Sequence, residues 1–343
     1  MKNNIYEMLN EANIDLDEYK KQDFTEFEKK KIKNKFKRSV NKKDFYKKGI
    51  VVASVAVVSF GILGSNLGTY AFETLGVIAY DISNALGIKK DIAEYKTVVN
   101  QGITKNGIKV KLNEVILDND ELIVSTTATS DKKLGGAGDI SLDGDVYING
   151  RNVSEGASGS ASQLDEYSME SVIEHSLDNI DENDLKGDIN IKIKYSRGHI
   201  GETDIRGPWV FEFKVNGDEL RAETKEIKLD NSFTFDNGQN IKLEKYTSND
   251  IGQKIYFSLD SKGTDYNMEL RGHDDLGNEV TFYMSRLRGD KGIFKIESID
   301  GLVNENAKEL KLTPYATEES KTSGQSSNDF KVIGEEFTIN LNK

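Results

Sequence analysis

The chain has 343 residues, of which 46 are lysine or arginine, 58 are aspartate or glutamate and none is cysteine. The lack of cysteine excludes disulfides, thiolate zinc sites and cysteine nucleophiles. Residues 1–48 carry a net charge of +5 and the remaining residues carry −17, a division that indicates two compartments or two kinds of partner.

The basic segment, residues 1–48, is predicted to form two short helices. Ile5 and Leu9 belong to a narrow apolar stripe on the first helix, and Thr25 with Glu28 forms a capping box for the second. Large apolar residues are too few for this segment to fold alone. It is predicted either to lie on anionic lipid as a tether or to fold on a protein partner, and no nucleic-acid partner is expected. The predicted partner-binding residues are Phe24, Phe27, Ile32 and Phe36.

An apolar run, residues 49–69, is predicted to be one transmembrane helix. No charge occurs between Gly49 and Glu73, and about 20 residues span the hydrocarbon core of a bilayer. A buried core helix is one alternative, but residues 29–48 contain eleven basic side chains against one acid. Such a flank holds the N-terminus in the cytoplasm and places the rest outside the cell. A cleaved signal peptide is the other alternative. Signal peptides have only a short segment before the apolar run, whereas 48 residues precede it here. The residues predicted to set the orientation are Lys42, Lys43, Lys47 and Lys48.

Residues 70–93 are predicted to form a membrane-proximal amphipathic helix and a linker. Helical spacing relates the apolar residues Ala71, Leu75, Ile78, Ile82, Ala85 and Leu86. The helix is predicted to lie at the outer membrane face and to end at a glycine C-cap, Gly87.

From residue 94 onwards apolar and polar residues alternate, which predicts β-strands. Ile108, Val110 and Leu112 form one such face, and a turn at 118–120 separates it from Leu122 and Val124. Further strands are predicted at 146–148, 189–195 and 209–215.

The strand pattern occurs twice in the chain. Residues 106–112 resemble 237–243, and residues 121–125 resemble 254–258. A repeat of about 130 residues predicts a mainly β fold with two tandem immunoglobulin-like β-sandwich domains. The predicted domains are residues 94–216 and 217–343.

Two serine-rich stretches, 154–162 and 318–328, have the composition of flexible surface loops. The acidic stretch between them, 163–186, is a candidate helix.

The motifs that carry catalysis are missing from the sequence. His175, His199 and His273 do not have the spacing of a zinc-binding helix, and no nucleophile motif is found. The acidic groups at 139–145 and 178–184 do not match a calcium-binding EF-hand loop, so solvated acidic faces are the preferred interpretation. The chain is therefore predicted not to be an enzyme and to bind neither metal nor cofactor.

Several stretches taken together resemble a family of bacterial membrane proteins. They are residues 5–10, the Phe- and Lys-rich segment 24–38, the single span and residues 79–125. The family is the domain of unknown function 4179, many members of which are described as anti-sigma-factor-like. The C-terminal part resembles the immunoglobulin-like module that often follows.

The resemblance implies a transmembrane regulator that holds a sigma factor in the cytoplasm and senses an unknown ligand outside. The main alternative is a membrane-anchored cell-surface binding or adhesion protein, in which residues 1–48 serve only as an anchor.

Overall fold

The computed structural model describes residues 82–88, 90–136, 138–178, 180–298, 302–319 and 329–342. These residues all belong to one compact unit of the chain, 53–343. No helix within the described ranges combines the length and apolar character needed to cross a membrane. The predicted cytoplasmic segment, 1–48, and the predicted span, 49–69, lie outside those ranges.

The mainly β fold is confirmed, and its sheets are antiparallel. The first half of the described chain contains nine strands: β1 (Thr97–Lys105), β2 (Ile108–Leu117), β3 (Glu121–Ser130), β4 (Ile140–Ile148), β5 (Arg151–Asn152), β6 (Ser154–Gln163), β7 (Ser168–Leu177), β8 (Asp188–Ile200) and β9 (Thr203–Asn216). They form a five-stranded sheet in the order β1-β2-β3-β7-β6 and a four-stranded sheet in the order β5-β4-β8-β9.

These two sheets share one hydrophobic core. Alternation of apolar residues along the strands supplies its members, among them Val110, Leu112, Val124, Val146, Ile191, Ile193, Trp209 and Phe211. The indole nitrogen of Trp209 on β9 donates a hydrogen bond to the carbonyl oxygen of Ile108 on β2 at 3.3 Å. A fully buried ring therefore also has its one polar atom satisfied.

The second half of the described chain forms one continuous sheet of ten strands. They are β10 (Lys225–Lys228), β11 (Ser232–Thr234), β12 (Asn240–Ser248), β13 (Gln253–Leu259), β14 (Tyr266–Asp274), β15 (Glu279–Arg288), β16 (Lys291–Ile296), β17 (Glu309–Glu318), β18 (Lys331–Val332) and β19 (Phe337–Asn340). The order is β10-β12-β13-β16-β15-β14-β17-β18, with β11 beside β12 and β19 beside β17. Its separate core includes Phe235, Leu243, Ile255, Phe257, Leu270, Phe282, Phe294 and Leu312.

The described residues also contain two short α-helices. Helix α1 (Ile82–Ala85) is followed by Gly87, which has a φ of 67°. Glycine suits this position, because at a positive φ a side chain would clash with its own backbone. Helix α2 (Asp218–Glu223) connects β9 to β10.

The internal repeat extends to an irregularity in the strand pairing. The register of β2 with β3 shifts between Leu112 and Glu114, and that of β12 with β13 shifts between Leu243 and Lys245. In the internal repeat, Leu112 corresponds to Leu243. Each half of the chain therefore carries a β-bulge at the corresponding position, and bulges are retained features of related sheets rather than accidents.

The loop prediction for 154–162 is wrong, because this stretch is strand β6, paired with β7. The candidate helix at 163–186 is also wrong over most of its length, since 168–177 is β7 and only Glu182–Leu185 is a short 3-10 helix. Glycine and serine have low strand propensity, but pairing with a neighbouring strand outweighs propensity. At Gly159 a Cβ atom would lie 2.2 Å from the carbonyl oxygen of Val172, so the close approach of β7 requires glycine there. Of the second predicted loop, residues 320–328 lie outside the described ranges.

Candidate functional site

A buried lysine connects the ten-stranded sheet to the five-stranded sheet. Lys254 lies on β13, and its amine is 2.8 Å from Asp118, 2.8 Å from Asp120 and 3.1 Å from Glu121. The three carboxylates belong to the turn between β2 and β3 and to the first residue of β3. Only 7% of the Lys254 side chain is exposed. Burial of one charge among three opposite charges makes this pairing structural rather than incidental.

Three more basic residues of the ten-stranded sheet extend this contact. Lys295 on β16 bonds to Glu121 at 3.1 Å and to Glu174 on β7. Arg286 on β15 donates a hydrogen bond to Asp120 at 3.1 Å and forms an ion pair with Glu155 on β6 at 3.2 Å.

Arg288, also on β15, bonds to Glu155 at 3.4 Å and to Asp178, which follows β7. We call these ten residues the junction cluster: Lys254, Arg286, Arg288, Lys295, Asp118, Asp120, Glu121, Glu155, Glu174 and Asp178. Every cation of the cluster comes from the ten-stranded sheet, and every acid comes from the five-stranded sheet or the residues next to its strands.

Strand pairing brings two of the cations together. Lys254 and Lys295 are direct cross-strand partners in β13 and β16, an arrangement that is unfavourable for like charges. Glu121 lies 3.1 Å from each amine, so its carboxylate compensates both. The adjacent amines of Lys254 and Lys295 are therefore stabilised only when the five-stranded sheet supplies the carboxylate of Glu121.

The opposite charges of the cluster stabilise the ionised forms of Lys254 and Glu121. Burial alone would lower the pKa of Lys254, but the carboxylates of Asp118, Asp120 and Glu121 outweigh it and hold that pKa well above its usual value. Burial likewise would raise the pKa of Glu121, but the charges of Lys254 and Lys295 lower it from 4.5 to about 2. Both partners remain charged at neutral pH.

Replacing Glu121 with glutamine is expected to make folding less sensitive to acid. Because the folded pKa of Glu121 is below the unfolded one, its stabilising effect is present above about pH 4.5 and is lost as the pH falls towards 2. Urea midpoints measured between pH 6 and pH 2.5 should fall more steeply for the wild type than for Glu121→Gln. Glu226→Gln, at a half-exposed ion pair on β10, is the control and should follow the wild-type slope. Equal slopes for wild type and Glu121→Gln would contradict the assignment.

A metal ion is the other cation that three carboxylates can hold. Within the described ranges Asp118, Asp120 and Glu121 form the one such group, with ligand atoms that lie within 4.8 Å of one another. The amine of Lys254 already bonds to all three. Their charge is therefore compensated from within the chain, and the arrangement resembles an internal ion pair more than a metal centre.

Of the acidic residues noted in the sequence, Asp178 belongs to the junction cluster, and three others have separate partners. Asp143 pairs with Arg197 at 3.0 Å, and Asp184 pairs with Arg151 at 2.5 Å. Asp139 accepts a hydrogen bond from a backbone amide at 2.8 Å.

The three histidines lie on different strands. His175 is buried on β7, and burial lowers its pKa to about 4. His199 on β8 is 2.8 Å from Asp204, and His273 lies on β14.

Helix α1 is attached beside the junction cluster by a small apolar cluster. Its buried members are Ile82, Ile92, Tyr95, Ile116, Ile123, Val172 and Leu220, and Ile251, in the loop between β12 and β13, packs against them. The amide of Ile82 donates to Glu114 on β2 at 3.0 Å, and Lys96 is 3.2 Å from the same carboxylate. Helix α1 is therefore held where the five-stranded sheet and the ten-stranded sheet meet.

A groove of about 840 Å³ opens next to this attachment. One wall is the segment after α1, including Leu86 and Ile88, and another is the loop between β12 and β13 with Ile251. Lys254 and Lys295 of the junction cluster lie along it. Cavities of this volume are common as ligand sites in proteins.

The predicted site residues are not among those brought together here. Phe24, Phe27, Ile32 and Phe36 lie outside the described ranges, as do Lys42, Lys43, Lys47 and Lys48, so their roles stay predictions. From the sequence, Asp118 and Asp120 are recognisable only as turn residues. The available signal is Lys254, a charged residue that directly precedes the apolar residues Ile255, Tyr256 and Phe257 of β13.

The chain is similar to a solved structure, and two family models match parts of it. The chain is similar to a solved structure described as the conserved domain protein from Bacillus anthracis, with 19% identity and a TM-score of 0.53. The similarity covers 72% of this chain and 92% of the other. At this identity it shows the fold alone.

Residues 40–130 match the family described as Domain of unknown function (DUF4179), which confirms the resemblance noted in the sequence. Residues 224–341 match a Family of unknown function (DUF5643). No curated protein matches the chain.

Proposed function

We propose that the chain is a single-pass membrane regulator of the anti-sigma-factor type. In this proposal residues 1–48 bind a sigma factor in the cytoplasm, residues 49–69 span the membrane, and the β region is an extracellular sensor. The two halves of that region, residues 94–216 and 217–343, are further proposed to be immunoglobulin-like β-sandwich domains.

The observation that carries the proposal is the attachment of α1. This helix follows the predicted span in the sequence. Its Ile82 donates to Glu114 of the five-stranded sheet and belongs to the apolar cluster against which Ile251, in the loop between β12 and β13, packs. A change at the junction of the sheets would therefore act on the segment that leads to the membrane. A sensor needs such a mechanical connection between a ligand site and its output.

The DUF4179 match also favours the proposal. Its range, 40–130, contains the predicted span, α1 and the first three strands. A family unit that continues from a predicted membrane segment into the β region is easier to explain for a regulator than for a protein whose membrane segment is only an anchor.

The double change Phe27→Ala with Phe36→Ala tests the cytoplasmic half of the proposal. If these rings contact a sigma factor, each contributes about 1 kcal/mol or more, so binding should weaken at least about tenfold. Capture from native cells with the full-length chain should then recover less sigma factor, identified by mass spectrometry. Transcription from the promoters of that factor should rise.

Phe45→Ala is the matched control, since this aromatic residue lies in the same segment but outside the predicted contact. Membrane levels of all variants are measured first. Unchanged transcription, together with no captured sigma factor, would instead support the surface-binding or adhesion alternative.

A further inference from the structure

Two carboxylates beside the groove hold an exposed lysine of the chain itself. The amine of Lys90 lies 2.9 Å from Asp250 and 2.8 Å from Glu305. The second oxygen of Asp250 accepts from the hydroxyl of Tyr95 at 3.3 Å. Lys90 and Glu305 are more than half exposed, at 52% and 68% of their side chains. The two acids are thus arranged for an alkylammonium group, and solvent reaches the one they hold.

The remainder of the groove combines apolar walls with excess negative charge. Its partly exposed apolar residues are Leu86, Ile88, Ile251, Ile296 and Leu302. Seven carboxylates and four lysines line it. Five of these charges are enclosed in the junction cluster: Asp118, Glu121, Glu174, Lys254 and Lys295. The lining outside the cluster keeps an acidic excess, with Glu223, Asp250, Glu297 and Glu305 against Lys90 and Lys225. Such a surface attracts basic ligands.

We propose that this groove binds a basic amphipathic peptide segment, whose lysine or arginine takes the place of Lys90 between Asp250 and Glu305. The apolar side chains of that segment then lie against Leu86 and Ile88. A metal ion would leave these apolar residues unused, and a purely polar cation would do the same. The proposal names a ligand class for the sensor, and only its signalling role rests on the proposed function.

Displacement of Lys90 has a direct consequence for α1. Lys90 belongs to the segment that follows α1, whereas Asp250 and Glu305 belong to loops of the ten-stranded sheet. A peptide that replaces the amine breaks one bridge between the two. The same event therefore fills the groove and loosens a contact of the segment that follows α1.

Peptide binding to the full-length chain tests the proposal. The probe is a fluorescent eight-residue peptide of alternating lysine and leucine with neutral ends, and the protein is held in phosphatidylcholine nanodiscs. Fluorescence anisotropy should show saturable binding beyond that of empty nanodiscs. The double variant Asp250→Asn with Glu305→Gln should bind about tenfold more weakly, because charge-assisted hydrogen bonds to the peptide are lost.

Lys90→Ala separates a ligand site from a merely structural ion pair. Removal of the internal competitor should strengthen peptide binding about threefold, since an exposed ion pair of this kind is weak. Lys242→Ala changes the net charge equally, and its partner Asp230 lies outside the groove, so binding should stay unchanged. Circular dichroism confirms that each variant is folded.

The proposal is overturned if the wild type binds no peptide, if Lys90→Ala weakens binding, or if Lys242→Ala strengthens binding as much as Lys90→Ala does. It is also overturned if spermine, which has charge but no apolar side chains, binds as tightly as the peptide. The assay measures binding alone. Failure of the groove is therefore distinguishable from failure of the sigma-factor proposal, which is measured by capture and transcription.

Discussion

Replacing Lys254 with methionine is expected to lower the free energy of unfolding by about 3–5 kcal/mol. Methionine has a similar length but no charge, so Asp118, Asp120 and Glu121 would be left without the amine that bonds to all three. Ion pairs of this kind contribute little in themselves, because desolvation offsets their attraction. The large effect arises because removal of one partner leaves buried charges uncompensated.

Urea unfolding of the full-length chain measures this loss. Trp209 is the one tryptophan of the sequence and is fully buried between the first two sheets, so its fluorescence reports the half that carries the three acids. The expected result is a lower midpoint with little change in slope. Lys242→Met removes an exposed amine paired with Asp230 and should cost less than about 1 kcal/mol.

Reducing the number of acids provides a second check on the same mechanism. In the Lys254→Met background, Asp118→Asn removes one of the uncompensated charges and should recover part of the lost stability. In the wild-type background the same change should destabilise. An equal effect in both backgrounds would show that Lys254 and Asp118 do not act as a pair.

The features that sequence predicts well are those set by neighbouring residues. Asn106 and Gly107 have φ angles of 49° and 80°, as expected for an asparagine-glycine turn between two strands. Ile108, Val110 and Leu112 then alternate into the core because side chains of a strand point to opposite faces. The same local signals in residues 237–243 made the repeat visible.

The junction cluster could not be predicted because its partners are distant in sequence. Lys254 is separated from Asp118 by 136 residues, and nothing near either residue indicates that they meet. Strand β6 was missed for a related reason. Its serine and glycine residues favour a loop by composition. They form a strand because β7 pairs with them, and such pairing depends on the tertiary fold rather than on local sequence.

Replacing Asp274 with alanine is expected to lower the free energy of unfolding of the ten-stranded sheet by about 1.5–3 kcal/mol. The residue ends β14 and is completely buried. Its carboxylate accepts hydrogen bonds from the amides of Leu276 and Asn278 at 3.0 Å and from the amide of Asn304 at 2.9 Å. Alanine would remove this charged acceptor from all three amides. Hydrogen bonds to a charged group contribute about 1.5–3 kcal/mol, and the donor residues are solvent-exposed, so water compensates part of the loss.

The ionisation of Asp274 gives the prediction a pH dependence. Burial alone would raise its pKa, but hydrogen bonds from Asn304, Asn278 and Leu276 outweigh burial and lower it. The stabilising effect is therefore present above the unfolded pKa of about 3.9 and is lost as the pH falls below that value. The difference between wild type and Asp274→Ala should be full at pH 7 and should shrink in acid.

Far-ultraviolet circular dichroism during urea unfolding measures the effect, because it follows all the strands. Asp274→Asn keeps one carbonyl acceptor and should lose less stability than Asp274→Ala. Asp230→Ala removes a carboxylate whose side chain is 92% exposed and should change stability by less than about 1 kcal/mol. If Asp274→Ala were as stable as Asp230→Ala, the amides of Leu276, Asn278 and Asn304 would have to find other acceptors. The carboxylate would then not be what connects the end of β14 to the loop that precedes β17.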